Sequence, residues 1–112
     1  MIWRYGLIEY RHAEDYPDAG VMAGDVDCAC IIEVYTMNEE DDGEGGRMWG
    51  KASMSSDSSG SMVQMLGMLT RDITRLNGQP DVICEGNKWW WADNPDKHYE
   101  MEGRWDDFFS ER

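Results

Sequence analysis

The sequence predicts an α+β fold: an antiparallel three-stranded meander packed on one amphipathic helix, followed by a C-terminal hairpin and an aromatic tail. Three stretches before residue 56 have the alternation or the β-branched and aromatic content of strands. After residue 61, apolar residues recur at the i, i+3, i+4, i+7 spacing of a helical face. At 112 residues the length is that of one domain, 1–112. We expect a sheet-plus-helix body over 1–84 and a Trp-rich hairpin and tail over 85–112.

The three predicted strands cover residues 2–10, 28–37 and 47–55. In the first strand Trp3, Tyr5 and Leu7 fall on one face, because successive side chains of a strand alternate. Residues 11–27 are rich in Asp, Gly and Pro, which is typical of a long loop or a distorted hairpin connection. The acidic, glycine-containing run 38–46 is predicted to be an ordinary hairpin loop.

The predicted helix runs from residue 61 to 76 and packs across the sheet. Asp57, Ser58 or Ser59 can cap its start, and Asn77-Gly78 is a strong stop. The residues expected to face the core are Met62, Met65, Leu66, Leu69, Ile73 and Leu76.

The C-terminal region holds a short extended segment, 81–84, and a predicted hairpin built around the turn sequence DNPD. If Lys88–Trp91 is a strand, Trp89 and Trp91 point to one side and Trp90 to the other. We predict that Trp89 and Trp91 pack inward, across from Tyr99 and Met101. The inverted register, with two rings outside, is the alternative. In the tail, the spacing of the aromatic residues 105, 108 and 109 predicts one helical turn.

The charge balance bears on the class of partner. The chain has 23 acidic and 10 basic residues, which gives a net charge of −13. Such a surface repels nucleic-acid phosphates and anionic membranes, so a basic protein is the expected partner. The simpler interpretation is that acidity only keeps the protein soluble. Because no apolar run reaches the length of a signal peptide or a membrane span, we expect a cytoplasmic protein with no membrane partner.

No metal site or cofactor is predicted. Because side chains of a strand alternate, Cys28 and Cys30 point to the same face of a predicted strand, and we expect both to be buried, reduced thiols. Neither histidine has zinc-type spacing to this pair. The acidic run begins like a calcium loop, but Trp49 occupies the position of the bidentate glutamate.

One carboxylate pair could support catalysis. Glu9 and Glu33 occupy the same place in the similar segments LIEY and IIEVY. If those strands pair, the two carboxylates could share a face and one could titrate high. The ordinary alternative is that each glutamate faces solvent or pairs with a basic residue such as Arg11 or Lys51.

Five short segments, taken in their order along the chain, carry a resemblance to a known family. They are the Trp-Arg strand WRYGLIEY, the strand IIEVY, the turn and Trp-containing strand EEDDGEGGRMWG, the helix MVQMLGMLTRDITRL and the exit QPDVI. Over Trp3 to Ile83 this order resembles a family of small uncharacterised phage and bacterial proteins. Asp81 departs from the family's Pro-Val-Ile exit, and residues 11–27 and the tail have no counterpart. The resemblance implies a phage or mobile-element setting and an antiparallel sheet on one helix, and it implies no catalytic residues.

These observations together predict a non-catalytic, acidic phage-type protein that binds a host protein. It would inhibit a nucleic-acid-handling or defence complex by occupying a basic surface. The alternatives are a self-associating module, such as a homodimer, and a small enzyme using Glu9 and Glu33. The candidate partner-binding residues are Trp90, His98, Glu100, Glu39, Glu40, Asp41, Asp42 and Glu44.

Overall fold

A computed structural model describes residues 2–36 and 46–101. Its elements are β1 (Ile2–Arg11), a 3-10 helix (Pro17–Ala19), β2 (Val26–Thr36), β3 (Arg47–Lys51), α1 (Ser59–Leu76), β4 (Val82–Glu85), β5 (Lys88–Trp91) and β6 (Tyr99–Glu100). Most of the predicted acidic loop and the predicted helical turn of the tail lie outside the described residues. No helix in the described ranges has the length and apolar character needed to cross a membrane.

The strands form one six-stranded mixed sheet in the order β3-β2-β1-β4-β5-β6. The β2–β3, β4–β5 and β5–β6 pairs are antiparallel, whereas β1 and β4 are parallel, with Ile8 opposite Val82. The predicted three-stranded meander with a separate hairpin is therefore wrong. Parallel neighbours need a long connection. Here β2, β3 and α1 separate β1 from β4 along the chain, and the C-terminal strands then extend the same sheet.

The chain divides into two compact units, each made of two stretches of sequence. Unit 1 comprises residues Met1–Gly6 and Ile31–Gln79, and it contains β3 and α1. Unit 2 comprises Leu7–Cys30 and Pro80–Arg112, and it contains β4, β5 and β6. Both β1 and β2 contribute residues to each unit.

Helix α1 begins and ends as its sequence predicts. Ser58 is the N-cap, and its Oγ accepts a hydrogen bond from the Ser61 amide at 3.1 Å. Asn77 ends the helix in the left-handed region, with φ 52°, and Gly78 follows at φ 81°. The predicted core face is only partly correct, because Leu66 is 48% exposed. The one buried residue of α1 is the polar Asp72, and the other apolar residues of the predicted face are half-buried.

On one face of the sheet, the core of unit 2 includes two rows of side chains. Register places Ile8, Val82 and Trp91 in one row and Tyr10, Cys84, Trp89 and Tyr99 in the next. Trp89 and Trp91 are 7% and 2% exposed, so their predicted inward orientation is confirmed. The Trp89 ring stacks on Tyr99 with centroids 4.4 Å apart. Met101 is also buried, but its amide donates to the Asn87 carbonyl, so it lies across from Asn87.

The cysteines differ from the prediction in burial. All three are free thiols: Cys84 is buried, Cys30 is half-buried and Cys28 is exposed. The prediction for Cys28 is wrong because the first four residues of β2 are all exposed. Both faces of the strand are open to solvent there, so alternation does not bury either one.

Candidate functional site

The first candidate site is a surface of unit 2 around Trp90. Register aligns Glu9, Ile83 and Trp90 across β1, β4 and β5, on the face opposite the buried Trp89 and Trp91. The Trp90 ring is half-exposed and stacks on the exposed His98 ring, with centroids 4.4 Å apart and an interplanar angle of 20°. We call Glu9, Ile83, Trp90 and His98 the Trp90 surface. Its aromatic ring is held in place because the residues on either side are packed in the core.

The charges beside the Trp90 surface are mixed. Asp93, Asp96 and Glu100 are exposed, and so are Lys88 and Lys97. Lys88 is paired opposite Glu100, and the Lys97 Nζ lies 5.5 Å from the centroid of the Tyr99 ring. The acidic excess there is small. The other acidic candidates, Glu39, Glu40, Asp41, Asp42 and Glu44, lie outside the described residues.

The two glutamates considered for catalysis have different environments. Glu9 Oε1 accepts a hydrogen bond from Arg11 Nε at 2.9 Å, which is the ordinary ion pair that the sequence offered as the alternative. Glu33 belongs to unit 1 and is 9% exposed. Its carboxylate accepts hydrogen bonds from the Tyr35 hydroxyl at 2.5 Å and, more weakly, from the Ser53 amide at 3.5 Å.

The second candidate site is a cleft in unit 1, beside Glu33, with a volume of about 370 Å³. The sheet side of the cleft is formed by Trp3, Tyr5 and Glu33. Ser53 and Ser55, after β3, form its edge. The helix contributes Ser61, Gln64, Met65 and Met68 from its N-terminal half. We call this the Glu33 cleft; it explains why Met65 and Met68 are only half-buried.

The Glu33 carboxylate dominates the electrostatics of this cleft. None of the side chains lining the cleft is basic. The pKa of Tyr35 is raised, chiefly by its hydrogen bond to Glu33 and then by burial and the negative charge of Glu33, against a smaller lowering by Trp3. Burial raises the pKa of Tyr5, with further contributions from the carboxylates of Glu33 and Asp72. The cleft is therefore a region of negative potential with an aromatic wall.

Sequence reasoning selected Glu33 only as one of a catalytic pair and missed the cleft around it. The available signal was an acid inside the apolar run IIEVY, where a buried carboxylate needs donors. The donors come from residues that the sequence does not mark, Tyr35 two positions on and Ser53 beyond the next strand.

Within residues 2–36 and 46–101, no group of three or more His, Cys, Asp or Glu side chains is arranged to hold a metal ion. Comparisons with protein-family models, curated proteins and solved structures find no match to this chain.

Proposed function

We propose that this protein is a non-catalytic binding protein whose partner is a basic protein. The observation that carries the proposal is the Trp90 surface, where a half-exposed tryptophan lies on a strand between the buried Trp89 and Trp91. Aromatic residues held in this way contribute a large share of the energy in protein interfaces. The net charge of −13 supports a basic partner, because it raises the association rate with positive surfaces.

The biological setting of the proposal is inhibition. A basic surface that an acidic protein covers is often one that holds DNA or RNA, so binding would block a nucleic-acid-handling or defence complex. The phage or mobile-element origin rests on the resemblance of the segments between Trp3 and Ile83.

The test is capture of partners from a bacterial lysate by the immobilised chain at low and high salt, followed by binding measurements on the purified partner. We expect a basic partner whose affinity falls as salt rises, because exposed charges are screened. Trp90→Ala should weaken binding at least tenfold, which is about 1.4 kcal/mol. The matched control is Val63→Ala, since Val63 is an apolar residue that is 69% exposed on α1 of unit 1. Equal affinities of both variants and the wild type would rule out the Trp90 surface.

Self-association is the second candidate function. On α1, Val63 is 69% exposed and Leu66 is 48% exposed, one helical turn apart. Such a pair could be covered by a second copy of the chain. A dimer in sedimentation equilibrium that is insensitive to salt, and that Leu66→Ser dissociates, would favour this function over binding of a basic partner.

A further inference from the structure

The Glu33 cleft has the features of a site for a cationic group. Glu33 is 9% exposed, and no basic side chain lines the cleft. Burying a carboxylate without a positive partner is unfavourable. Among the residues that the structure describes, the Tyr35 hydroxyl and the Ser53 amide donate to the Glu33 carboxylate, and the Ser53 contact is long, at 3.5 Å. Because two carboxylate oxygens offer about four acceptor positions, Glu33 retains capacity for further donors.

The walls of the cleft distinguish among cations. Trp3 and Tyr5 meet edge to face, with centroids 4.9 Å apart and an interplanar angle of 65°. Aromatic faces attract cations, and a planar guanidinium stacks on them while donating to a carboxylate through two parallel N–H groups. Met65 and Met68 complete the wall with flexible thioethers that adapt to an aliphatic side chain. A compact, strongly hydrated ammonium uses these walls less well than a guanidinium does.

An anionic occupant is disfavoured by the same residues. Any anion would lie beside the buried Glu33 carboxylate. The nearby start of α1 offers little compensation, because Ser58 already accepts a hydrogen bond from the Ser61 amide.

We propose that the Glu33 cleft binds the guanidinium group of an arginine side chain that belongs to the basic partner protein. This inference rests on the proposed function, since the partner supplies the arginine. The volume of about 370 Å³ lies at the lower end of the roughly 300–1,000 Å³ of ligand pockets, which suits one side chain.

The experiment uses the full chain and short peptides with no other charged group that contain a single arginine, or lysine or citrulline in its place. Binding is followed by the NMR shift of the Trp3 indole N–H, assigned with Trp3→Phe. We expect the arginine peptide to bind at least tenfold more tightly than the citrulline peptide, and more tightly than the lysine peptide. Equal binding of arginine and citrulline overturns the site, and equal binding of arginine and lysine overturns the guanidinium assignment. If free arginine binds as tightly as the arginine peptide, the inference that the guanidinium belongs to a partner protein is wrong.

Two variants and a matched control assign the binding to Glu33. Glu33→Gln keeps an acceptor for Tyr35 and removes the charge, so the affinity for the arginine peptide should fall at least tenfold. The control is Glu85→Gln, the same change in a strand carboxylate of unit 2 outside both candidate sites, which should leave the affinity unchanged. If Glu33→Gln fails to fold, the second variant is Gln64→Lys. Gln64 is an exposed residue of α1 that lines the cleft, so a lysine there adds a positive charge and should weaken binding of the arginine peptide similarly. Unchanged affinity in the folded variants overturns the inference.

The proposed function and this inference fail separately. If the chain retains a salt-sensitive basic partner whose affinity is the same for wild type and Glu33→Gln, only the cleft assignment is lost. If no basic partner binds the wild-type chain, the proposed function is lost, whatever the peptides show.

Discussion

Asp72 provides a quantitative test of how α1 is joined to the sheet. This aspartate is 5% exposed, and its Oδ2 accepts a hydrogen bond from the backbone amide of Tyr5 on β1 at 3.0 Å. Parallel pairing of β1 with β4 begins only at Ile8. The carboxylate thus accepts from a strand amide at a point where β4 supplies no partner. We expect Asp72→Ala to destabilise the protein even though the helix loses no apolar contact.

The size of the effect follows from three contributions. An unpaired, buried Tyr5 amide costs about 1–3 kcal/mol. The ion pair with Arg71 Nε, at 3.2 Å, contributes about 0–1 kcal/mol and is discounted toward zero because the Arg71 side chain is 54% exposed. Alanine restores about 0.5 kcal/mol of helix propensity. The expected net loss is about 1–3 kcal/mol, which lowers the Tm by roughly 4–13 °C for a chain of this size.

The assay is urea unfolding followed by circular dichroism near neutral pH. Asp72→Asn keeps an oxygen that can accept from Tyr5 and should lose less, about 1 kcal/mol. Arg71→Ala removes only the exposed partner and should lose the least. If Asp72→Ala is as stable as the wild type, or more so, the desolvation of the carboxylate outweighs its hydrogen bonds and the reasoning is wrong.

Further predictions concern two glycines and the cysteines. Gly86 has φ +62° and its added Cβ would lie 3.2 Å from the Ala13 Cβ, so Gly86→Ala should destabilise by about 1–2 kcal/mol. Gly67→Ala, in open space on α1, should stabilise by about 0.5–1 kcal/mol. A Tm that rises for Gly86→Ala would contradict the first prediction, and a Tm that falls for Gly67→Ala would contradict the second. Burial raises the pKa of Cys84 from 9.0 to about 11, so near neutral pH iodoacetamide should modify the exposed Cys28 and spare Cys84, as read by mass spectrometry. Because the folded pKa is the higher one, the free energy of unfolding should fall as pH rises from about 9 to 11, by up to about 2–3 kcal/mol. Cys84→Ala should remove that part of the pH dependence.

Local signals in the sequence correctly predicted the helix and the C-terminal hairpin. Ser58 and Asn77-Gly78 act through hydrogen bonds and dihedral angles within a few residues, so their effect does not depend on the rest of the chain. Another local signal was overlooked. Gly86-Asn87 separates Glu85 from Lys88 by two residues, and this is the spacing of a tight hairpin between β4 and β5.

The parallel pairing of β1 with β4 could not be predicted in the same way. β4 has only four residues, and its partner residues on β1 lie more than seventy positions earlier, with Ile8 opposite Val82. Nothing within Val82–Glu85 specifies which strand it joins, since apolar β-branched residues suit any buried position. Asp81 carries part of the answer, because its Oδ2 accepts from the Leu7 amide and its own amide donates to the Leu7 carbonyl. Asp81 therefore helps to align the two strands.

Three carboxylates of this chain differ in what their hydrogen bonds contribute to the fold. Asp72 and Asp81 each accept a hydrogen bond from a backbone amide of β1, and both contacts are about 3 Å long, at 3.0 and 3.1 Å. Glu33 is buried as well, but its amide contact is 3.5 Å and its close donor is a tyrosine hydroxyl two residues away on the same strand. The hydrogen bonds of the two aspartates to β1 amides therefore offset the cost of desolvating their carboxylates. Glu33 makes no comparably short hydrogen bond to a second element. The proposed arginine guanidinium would supply a positive partner for this carboxylate, beside Trp3 and Tyr5 in the cleft.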